Sequence, residues 1–212
     1  MRTLFQCQRG LASGVSLLCA AVFFAGNLPA EDRAGVETEV ASIRQYYVEV
    51  EALQDLQKLD LVFKCDGEPM EGVLTRRAKS TGQVVRIDLG YLEGGHGGAD
   101  EMYYYRDGQV FFVLVSASWW QFSGKKEGET IDTMRERRYY FSKGKCIRIL
   151  EKKVTAPKQE QLRALISKAE NRELDLNTEE SKEVIAEVRR KADVLPRLED
   201  SKAVAKFFCE GE

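Results

Sequence analysis

Two glycine-containing turns divide the middle of the chain into pairs of strand-forming segments. Each turn lies between two aromatic-rich or β-branched runs: Met102–Arg106 and Gln109–Val115 around Asp107-Gly108, and Met134–Phe141 and Cys146–Leu150 around Lys143-Gly144. Asp-Gly accepts the positive backbone angles of a tight hairpin turn, and Lys-Gly is a weaker form of the same signal. The flanking residues favour strands. This part of the chain is therefore predicted to fold as consecutive antiparallel hairpins.

Alternating apolar and polar residues extend the sheet upstream. Four apolar or aromatic residues share one face of the predicted third strand: Val85, Ile87, Leu89 and Tyr91. This row is expected to be buried beneath the flanking helices. Leu61–Cys65 is a further strand, which ends at a turn-forming segment. Residues 60–153 are thus predicted to form an antiparallel meander of about seven strands.

Helical periodicity appears on both sides of the sheet. Apolar residues three and four positions apart predict an amphipathic helix over residues 36–58, and a second helical region covers 157–208. No internal repeat and no long linker interrupts residues 31–212. We expect one α+β domain, with an N-terminal helix, the meander sheet, and C-terminal helices packed on one of its faces.

The first thirty residues have the pattern of a secretory signal peptide. Arg2 and Arg9 precede a short apolar run, Leu11–Phe24, and small residues lead to a cleavage point near Ala30. The alternative is an uncleaved membrane anchor, but the run is shorter than the roughly 18 to 20 residues that span a bilayer. The protein is expected to be exported, periplasmic or secreted, and not membrane-spanning after cleavage.

The charge balance argues against one class of partner. Removing the leader takes away two of the 32 basic residues and none of the 34 acidic ones, which leaves a net charge of −4. Nucleic-acid-binding domains usually carry a basic face. We therefore expect no nucleic-acid partner.

Three cysteines remain after the leader is removed. In an oxidising compartment two of Cys65, Cys146 and Cys209 are expected to pair, although three free thiols are the alternative. In a simple meander Cys65 and Cys146 lie at opposite ends of the sheet, too far apart for a bridge. Cys209 is the more favourable partner, because a bridge to it would hold the C-terminal segment.

The sequence offers few catalytic combinations. His96 is its only histidine and lies in a run of four glycines near Asp100 and Glu101. These three residues suit a divalent metal, but glycines leave the imidazole unsupported, and we expect a flexible loop instead. We find no nucleophile elbow, no phosphate-binding glycine loop and no paired-cysteine zinc spacing. We expect no enzyme activity and no cofactor; a hydrolase that uses a carboxylate pair is an alternative.

Aromatic residues are concentrated in four consecutive strand regions. Neighbouring residues of a strand point to opposite faces, so these side chains cannot share one core. Five of them are candidates for a partner or ligand surface: Trp119, Trp120, Tyr103, Tyr105 and Phe122. Aromatic side chains provide large contact areas in such surfaces. The alternative is that helices or a second copy of the chain cover both faces.

Basic residues in the predicted sixth strand have two interpretations. Arg135, Arg137 and Arg138 could bind an anion. Acidic residues lie close by in the sequence, however, so a cross-strand charge ladder in solvent is the simpler interpretation.

About half of the exported chain resembles a group of exported bacterial proteins without assigned activity. The likeness rests on three segments: Ile43-Arg44-Gln45-Tyr46-Tyr47 in the first helix, the hairpin Glu101–Phe112, and the hairpin that runs from Arg138-Tyr139-Tyr140-Phe141 to Gly144-Lys145. The resemblance implies an antiparallel-sheet fold and no particular activity. It does not extend to the C-terminal helical region.

Two non-enzymatic functions fit these observations. The first is binding of a partner protein, or self-association, through the aromatic-rich sheet. The second is carriage of a small apolar ligand in a pocket between the sheet and the helices. An open pocket would favour the carrier, and a flat exposed aromatic patch would favour the partner.

Overall fold

A computed structural model describes residues 30–67, 69–124 and 126–210. The predicted signal peptide, residues 1–30, lies outside these residues except for Ala30. No helix in the part that the structure describes is long and apolar enough to cross a membrane.

The centre of the protein is one antiparallel sheet whose strands are neighbours in the order of the sequence. Its strands are β1 (Gln57–Lys64), β2 (Met70–Ala78), β3 (Val84–Glu93), β4 (Gly97–Arg106), β5 (Gln109–Phe122), β6 (Thr130–Ser142), β7 (Lys145–Ala156) and β8 (Arg172–Glu173). The predicted meander is confirmed. The two-residue β8 was not foreseen, because it lies within the region predicted to be helical.

Both predicted hairpin turns adopt the expected backbone conformation. Asp107 and Gly108 have φ angles of 51° and 77°, and Lys143 and Gly144 have φ angles of 50° and 73°. Positive φ at both central residues matches the right-handed twist of the strands that the turn joins.

Among the residues that the structure describes, four α-helices flank the sheet: α1 (Ala30–Glu51), α2 (Gln159–Lys168), α3 (Glu179–Val194) and α4 (Ser201–Ala205). A short 3₁₀ turn (Leu195–Arg197) follows α3, and a π-helical turn (Lys206–Glu210) follows α4. The predicted class, an α+β fold with flanking helices on a meander sheet, is therefore confirmed.

The first helix ends earlier than its apolar periodicity predicted. α1 stops at Glu51 rather than at residue 58, and Gln57 already begins β1. Asp55 between them has a φ of 59°, a conformation that cannot continue a right-handed helix. Leu53, which continues the apolar spacing in the sequence, is 39% exposed.

The two faces of the sheet bury different clusters. On the face that we call the α3 face, Leu61, Ile87 and Tyr139 pack against Val188 and Leu195 of the C-terminal helices. The opposite face, which we call the α1 face, packs against α1 through a second cluster. The buried members of that cluster are Val40, Ile43, Val50, Val85, Tyr104, Phe111, Phe112 and Tyr140. Both faces are thus covered, but only over part of the sheet.

In the described strands, three β-bulges lie along the same end of the sheet. The pairing register shifts beside Val85 in β3, Phe111 in β5 and Ile147 in β7. All three residues pack in the cluster under α1. A bulge inserts an extra residue and bends its strand. We infer that the bulges curve this end of the sheet around α1.

The bulge in β3 corrects one expectation. Val85 was expected to share a buried row with Ile87, Leu89 and Tyr91. Instead it packs under α1, whereas the other three belong to the α3-face cluster. The extra residue shifts the alternation, so one side chain changes faces.

A disulfide joins Cys65, just after β1, to Cys209 in the C-terminal π-helical turn. The two Cα atoms are 5.4 Å apart, and 144 residues of sequence separate the cysteines. This is the arrangement in which a bridge holds the C-terminal segment against the sheet. Cys146 is free and half-buried, and burial raises the pKa of its thiol to about 11.

Candidate functional site

An open groove lies on the α1 face, beyond the area that α1 covers. Its volume is about 810 Å³. Its floor is formed by β1 to β6, and α2 borders it with Gln159, Leu162 and Arg163. Leu162 and Ile166 anchor α2 on the sheet, where both are buried. The groove therefore occupies the part of this face that neither helix fills.

The centre of the floor carries almost no side-chain bulk. Gly90, Gly98, Ser116 and Ser118 lie on three adjacent strands, with Gly98 directly opposite Ser118. A Cβ atom on Gly98 would collide with the backbone carbonyl oxygen of Tyr91, so this position requires glycine. A ligand can therefore approach the sheet backbone closely here.

Apolar side chains border the floor on the side of β1. Val62 is 62% exposed, Leu92 is 57% exposed and Val73 is 40% exposed. Val62 and Val73 are direct cross-strand partners. Met134 provides apolar surface on the other side, near α2. Neighbouring apolar groups exposed at one place commonly mark a binding surface.

Trp120 lines the groove and is held by the glycine-rich turn between β3 and β4. The His96 ring stacks on the indole at 4.6 Å between ring centroids. The indole N–H of Trp120 donates a hydrogen bond to the carbonyl oxygen of Gly95, and its backbone N–H donates to that of His96. The expectation of an unsupported loop is therefore wrong. Gly97 and Gly98 already belong to β4, and the turn holds both rings.

Phe122 extends the aromatic row beyond the groove. Its ring meets that of Trp120 edge-to-face at 5.5 Å, and the residue is 68% exposed. Of the five aromatic residues proposed from the sequence, Trp120 and Phe122 are thus the two on this face of the sheet.

Two carboxylates on this face have no ion-pair partner among the described residues. Asp100 lies in the middle of the floor, opposite Gly90 and Ser116. Asp132 lies opposite Trp120. The groove is therefore mainly apolar, with hydroxyl and carboxylate oxygens at a few points.

Trp119 lies on the other face from Trp120, because neighbouring residues of a strand alternate. The guanidinium carbon of Arg135 is 5.3 Å from the centroid of the Trp119 ring, and the Lys153 ammonium is 5.7 Å from it. The two tryptophans are neighbours in the chain, but Trp119 lies beside two cations on the α3 face and Trp120 lines the groove on the α1 face.

Tyr103 and Tyr105 are not on any surface. They are 0% and 2% exposed, respectively, and belong to the α3-face cluster. The Tyr105 hydroxyl donates to the carbonyl oxygen of Ala192 in α3 at 3.0 Å. The proposal that these two residues form a binding surface is therefore wrong, because α3 covers them.

A buried carboxylate organises the polar contacts near Tyr103. Glu101 accepts hydrogen bonds from the hydroxyls of Tyr91 and Tyr103, and the Lys191 ammonium lies 2.7 Å from its Oε1. Burial, followed by the negative charge of Glu101, raises the pKa of both tyrosines. These hydroxyls stay protonated and act as donors, so the cluster joins α3 to the sheet.

Sequence reasoning missed the floor of the groove. Its signal was the recurrence of glycine or short polar residues at alternate positions of two strands, Gly98 with Asp100 in β4 and Ser116 with Ser118 in β5. Such an alternation indicates one strand face without bulk. It could have been recognised, but it competed with the more conspicuous aromatics.

Neither related proteins nor metal ligands assign a function to the groove. Among the described residues, no group of three or more histidine, cysteine or acidic side chains could hold a metal ion. The chain matches no protein-family model, no curated protein and no solved structure. The geometry of the groove is therefore the guide to function.

Proposed function

We propose that this is an exported, non-enzymatic binding protein that carries a small apolar ligand in the groove on the α1 face. The observation that carries the proposal is the groove itself, an apolar-bordered space over a sheet floor made of glycine and serine. Of the two functions that the sequence left open, an open groove favours the carrier.

The size of the groove agrees with this function. A volume of about 810 Å³ lies within the range of about 300 to 1,000 Å³ that is typical of small-molecule pockets. Such pockets are mostly apolar, with a few polar groups that orient the ligand. Ser116, Ser118 and Asp100 are in position to do this, while Val62, Leu92 and Trp120 provide the apolar contact.

Binding of a partner protein is the second candidate. Phe122 is 68% exposed and projects at the end of the groove, where a pocket-bound molecule would not need it. An exposed aromatic side chain beside an apolar groove is a common anchor for a protein partner. Self-association through the same surface belongs to this second candidate.

We propose that the protein is exported to an oxidising compartment. The support is the charge and apolar pattern of residues 1–30, together with a disulfide between Cys65 and Cys209. Disulfides persist mainly in oxidising compartments.

A neutral fluorescent probe tests the carrier function. N-phenylnaphthylamine brightens when it leaves water for an apolar site, so we expect it to brighten with the protein and to saturate. Ser118→Phe fills the floor of the groove with a ring and should reduce probe affinity by about tenfold or more, since roughly 1.4 kcal/mol of lost contact corresponds to that factor.

A matched variant controls for the added ring. Thr155→Phe places the same side chain on an exposed position at the same end of the sheet, on the α3 face. It should bind the probe as the unmodified protein does. Absence of saturable binding, or equal binding by both variants, would contradict a ligand site in the groove.

A further inference from the structure

Two basic side chains face each other on the α3 face without a carboxylate between them. Arg135 in β6 and Lys153 in β7 are direct cross-strand partners. Among the described residues, neither forms an ion pair, and both lie over the ring of Trp119. Like charges directly opposite each other destabilise a sheet. The arrangement therefore lowers the stability of the fold unless another group compensates these two positive charges.

Arginines in the neighbouring rows of the sheet are paired. Arg137, two residues along β6, contacts Glu151 at 2.7 Å and Glu180 at 2.9 Å. Arg138 pairs with Glu136 on the opposite face. The expectation of a cross-strand charge ladder in solvent is therefore wrong for both arginines: Arg137 and Glu151 face each other across strands but are buried, and Arg138 and Glu136 lie two residues apart on one strand. Arg135 forms no such pair among the described residues.

The nearby carboxylates are already occupied. Glu180 bonds Arg137, while Glu151 bonds Arg137 and also Arg172 of β8. The two carboxylates therefore neutralise Arg137 and Arg172, and the positive charges of Arg135 and Lys153 remain uncompensated. Desolvation, followed by repulsion from Arg137, lowers the pKa of Arg135, which is the direction expected of a cation that lacks a counter-ion.

The position is accessible from solvent. The first turn of α3 reaches Arg137 through Glu180, and Arg135 lies one row further toward the open end of the sheet. Lys153 is exposed, and Arg135 and Trp119 are half-buried. A guanidinium and an ammonium at adjacent strand positions can donate several hydrogen bonds to one group.

We propose that Arg135 and Lys153, supported by Trp119, form a binding site for an oxyanion on the α3 face. Arg135 presents a planar fork of donors to two oxygens of a phosphate, sulfate or carboxylate group, and Lys153 contributes a point charge. This site is separate from the groove, because the sheet lies between them.

Calorimetric titration of the protein with inorganic phosphate at low ionic strength tests the site. We expect saturable binding, and Arg135→Gln or Lys153→Gln should weaken it by about tenfold each, the usual scale for removing a charge-assisted hydrogen bond. Arg189→Gln, at an exposed position of α3, should bind phosphate unchanged. Both site variants should fold normally, because each removes one of two repelling cations.

A second arm distinguishes the source of the oxyanion. Vesicles of phosphatidylglycerol and of phosphatidylcholine are tested for co-sedimentation with the same variants. Binding to phosphatidylglycerol alone, lost in Arg135→Gln, would identify a lipid headgroup as the source, and binding of free phosphate would identify a soluble one. Lack of binding in both arms, or binding that survives both substitutions, would overturn the proposal.

Discussion

Two runs of aromatic residues on neighbouring strands differ in how far they are buried. Tyr103, Tyr104 and Tyr105 of β4 are at most 2% exposed, although their side chains alternate between the two faces. Trp119 and Trp120 of β5 alternate in the same way and remain half-buried. The difference lies in the helices, since α1 and α3 cover both faces at the tyrosines and do not reach the tryptophans.

This comparison separates two uses of the same side chains. At the covered end, aromatics fill two cores and join helices to the sheet through Glu101 and Ala192. At the open end they border a groove on one face and hold a pair of cations on the other. An aromatic strand therefore indicates that a sheet forms, whereas the extent of the helices determines which part of it is free to bind.

The largest effect is expected from truncating a tyrosine of the covered end. Tyr103→Ala should lower the free energy of unfolding by about 3 to 5 kcal/mol, because it empties a fully buried site. The measurement is denaturant unfolding followed by circular dichroism. Trp120→Ala is the comparison and should cost less, about 2 kcal/mol, because this residue is half-buried rather than fully buried. Equal losses would mean that the open end belongs to the core.

The disulfide is expected to have the next largest effect. Cys209→Ser removes the covalent link between β1 and the C-terminal segment, which packs Phe207 and Phe208 near Phe63. We expect a loss of about 2 to 4 kcal/mol in unfolding free energy, as is usual for a native disulfide. The measurement is denaturant unfolding of the variant and of the wild-type protein, each with and without reductant.

Two observations serve as controls for that prediction. Cys146→Ser should leave the response to reductant unchanged, because Cys146 is free. A reductant that has no effect on the unfolding of the wild-type protein would contradict the Cys65–Cys209 pairing.

A smaller effect is expected from acid. Burial would raise the pKa of Glu151, but hydrogen bonds from Arg137 and Arg172 outweigh it and hold the pKa below 4.5. Such a carboxylate stabilises the fold fully above its unfolded-state pKa, and this contribution is lost as the pH falls through its folded-state pKa. The free energy of unfolding should therefore decrease from about pH 5 to about pH 3.

Substitution identifies the source of that decrease. Glu151→Gln should flatten the pH dependence of the unfolding free energy over this range, besides lowering its value at neutral pH. Glu179→Gln, which breaks only an exposed pair with Lys182, should leave the slope unchanged because exposed ion pairs contribute little. An unchanged slope in Glu151→Gln would mean that Glu151 does not cause the loss of stability in acid.

Local chemistry explains which parts of the structure could be predicted. Asp107-Gly108 and Lys143-Gly144 set their turns through their own backbone preferences, so the meander follows from short stretches of sequence. The bulges at Val85, Phe111 and Ile147 could not be predicted in this way. Each depends on how its strand pairs with a neighbour and on α1 lying across the strand, and both are non-local.

The candidate site was predicted only in part. Trp120 lines the groove and Phe122 is exposed beside it, and the sequence indicates such exposure because a pair of adjacent tryptophans next to a glycine-containing loop is hard to bury. Tyr103 and Tyr105 were misplaced, since nothing in their own strand indicates that α3 would cover them. The ordering of His96 also depends on a distant residue, Trp120, across the β3–β4 turn.

The most direct test uses the two tryptophans as reporters of the two faces. Their indole N–H groups give separate nuclear magnetic resonance signals, which Trp119→Phe assigns. When the protein is titrated with N-phenylnaphthylamine, we predict that the Trp120 signal shifts with saturation and that the Trp119 signal stays in place. A shift of Trp119 alone, or no shift of either signal, would contradict a ligand-binding groove on the α1 face.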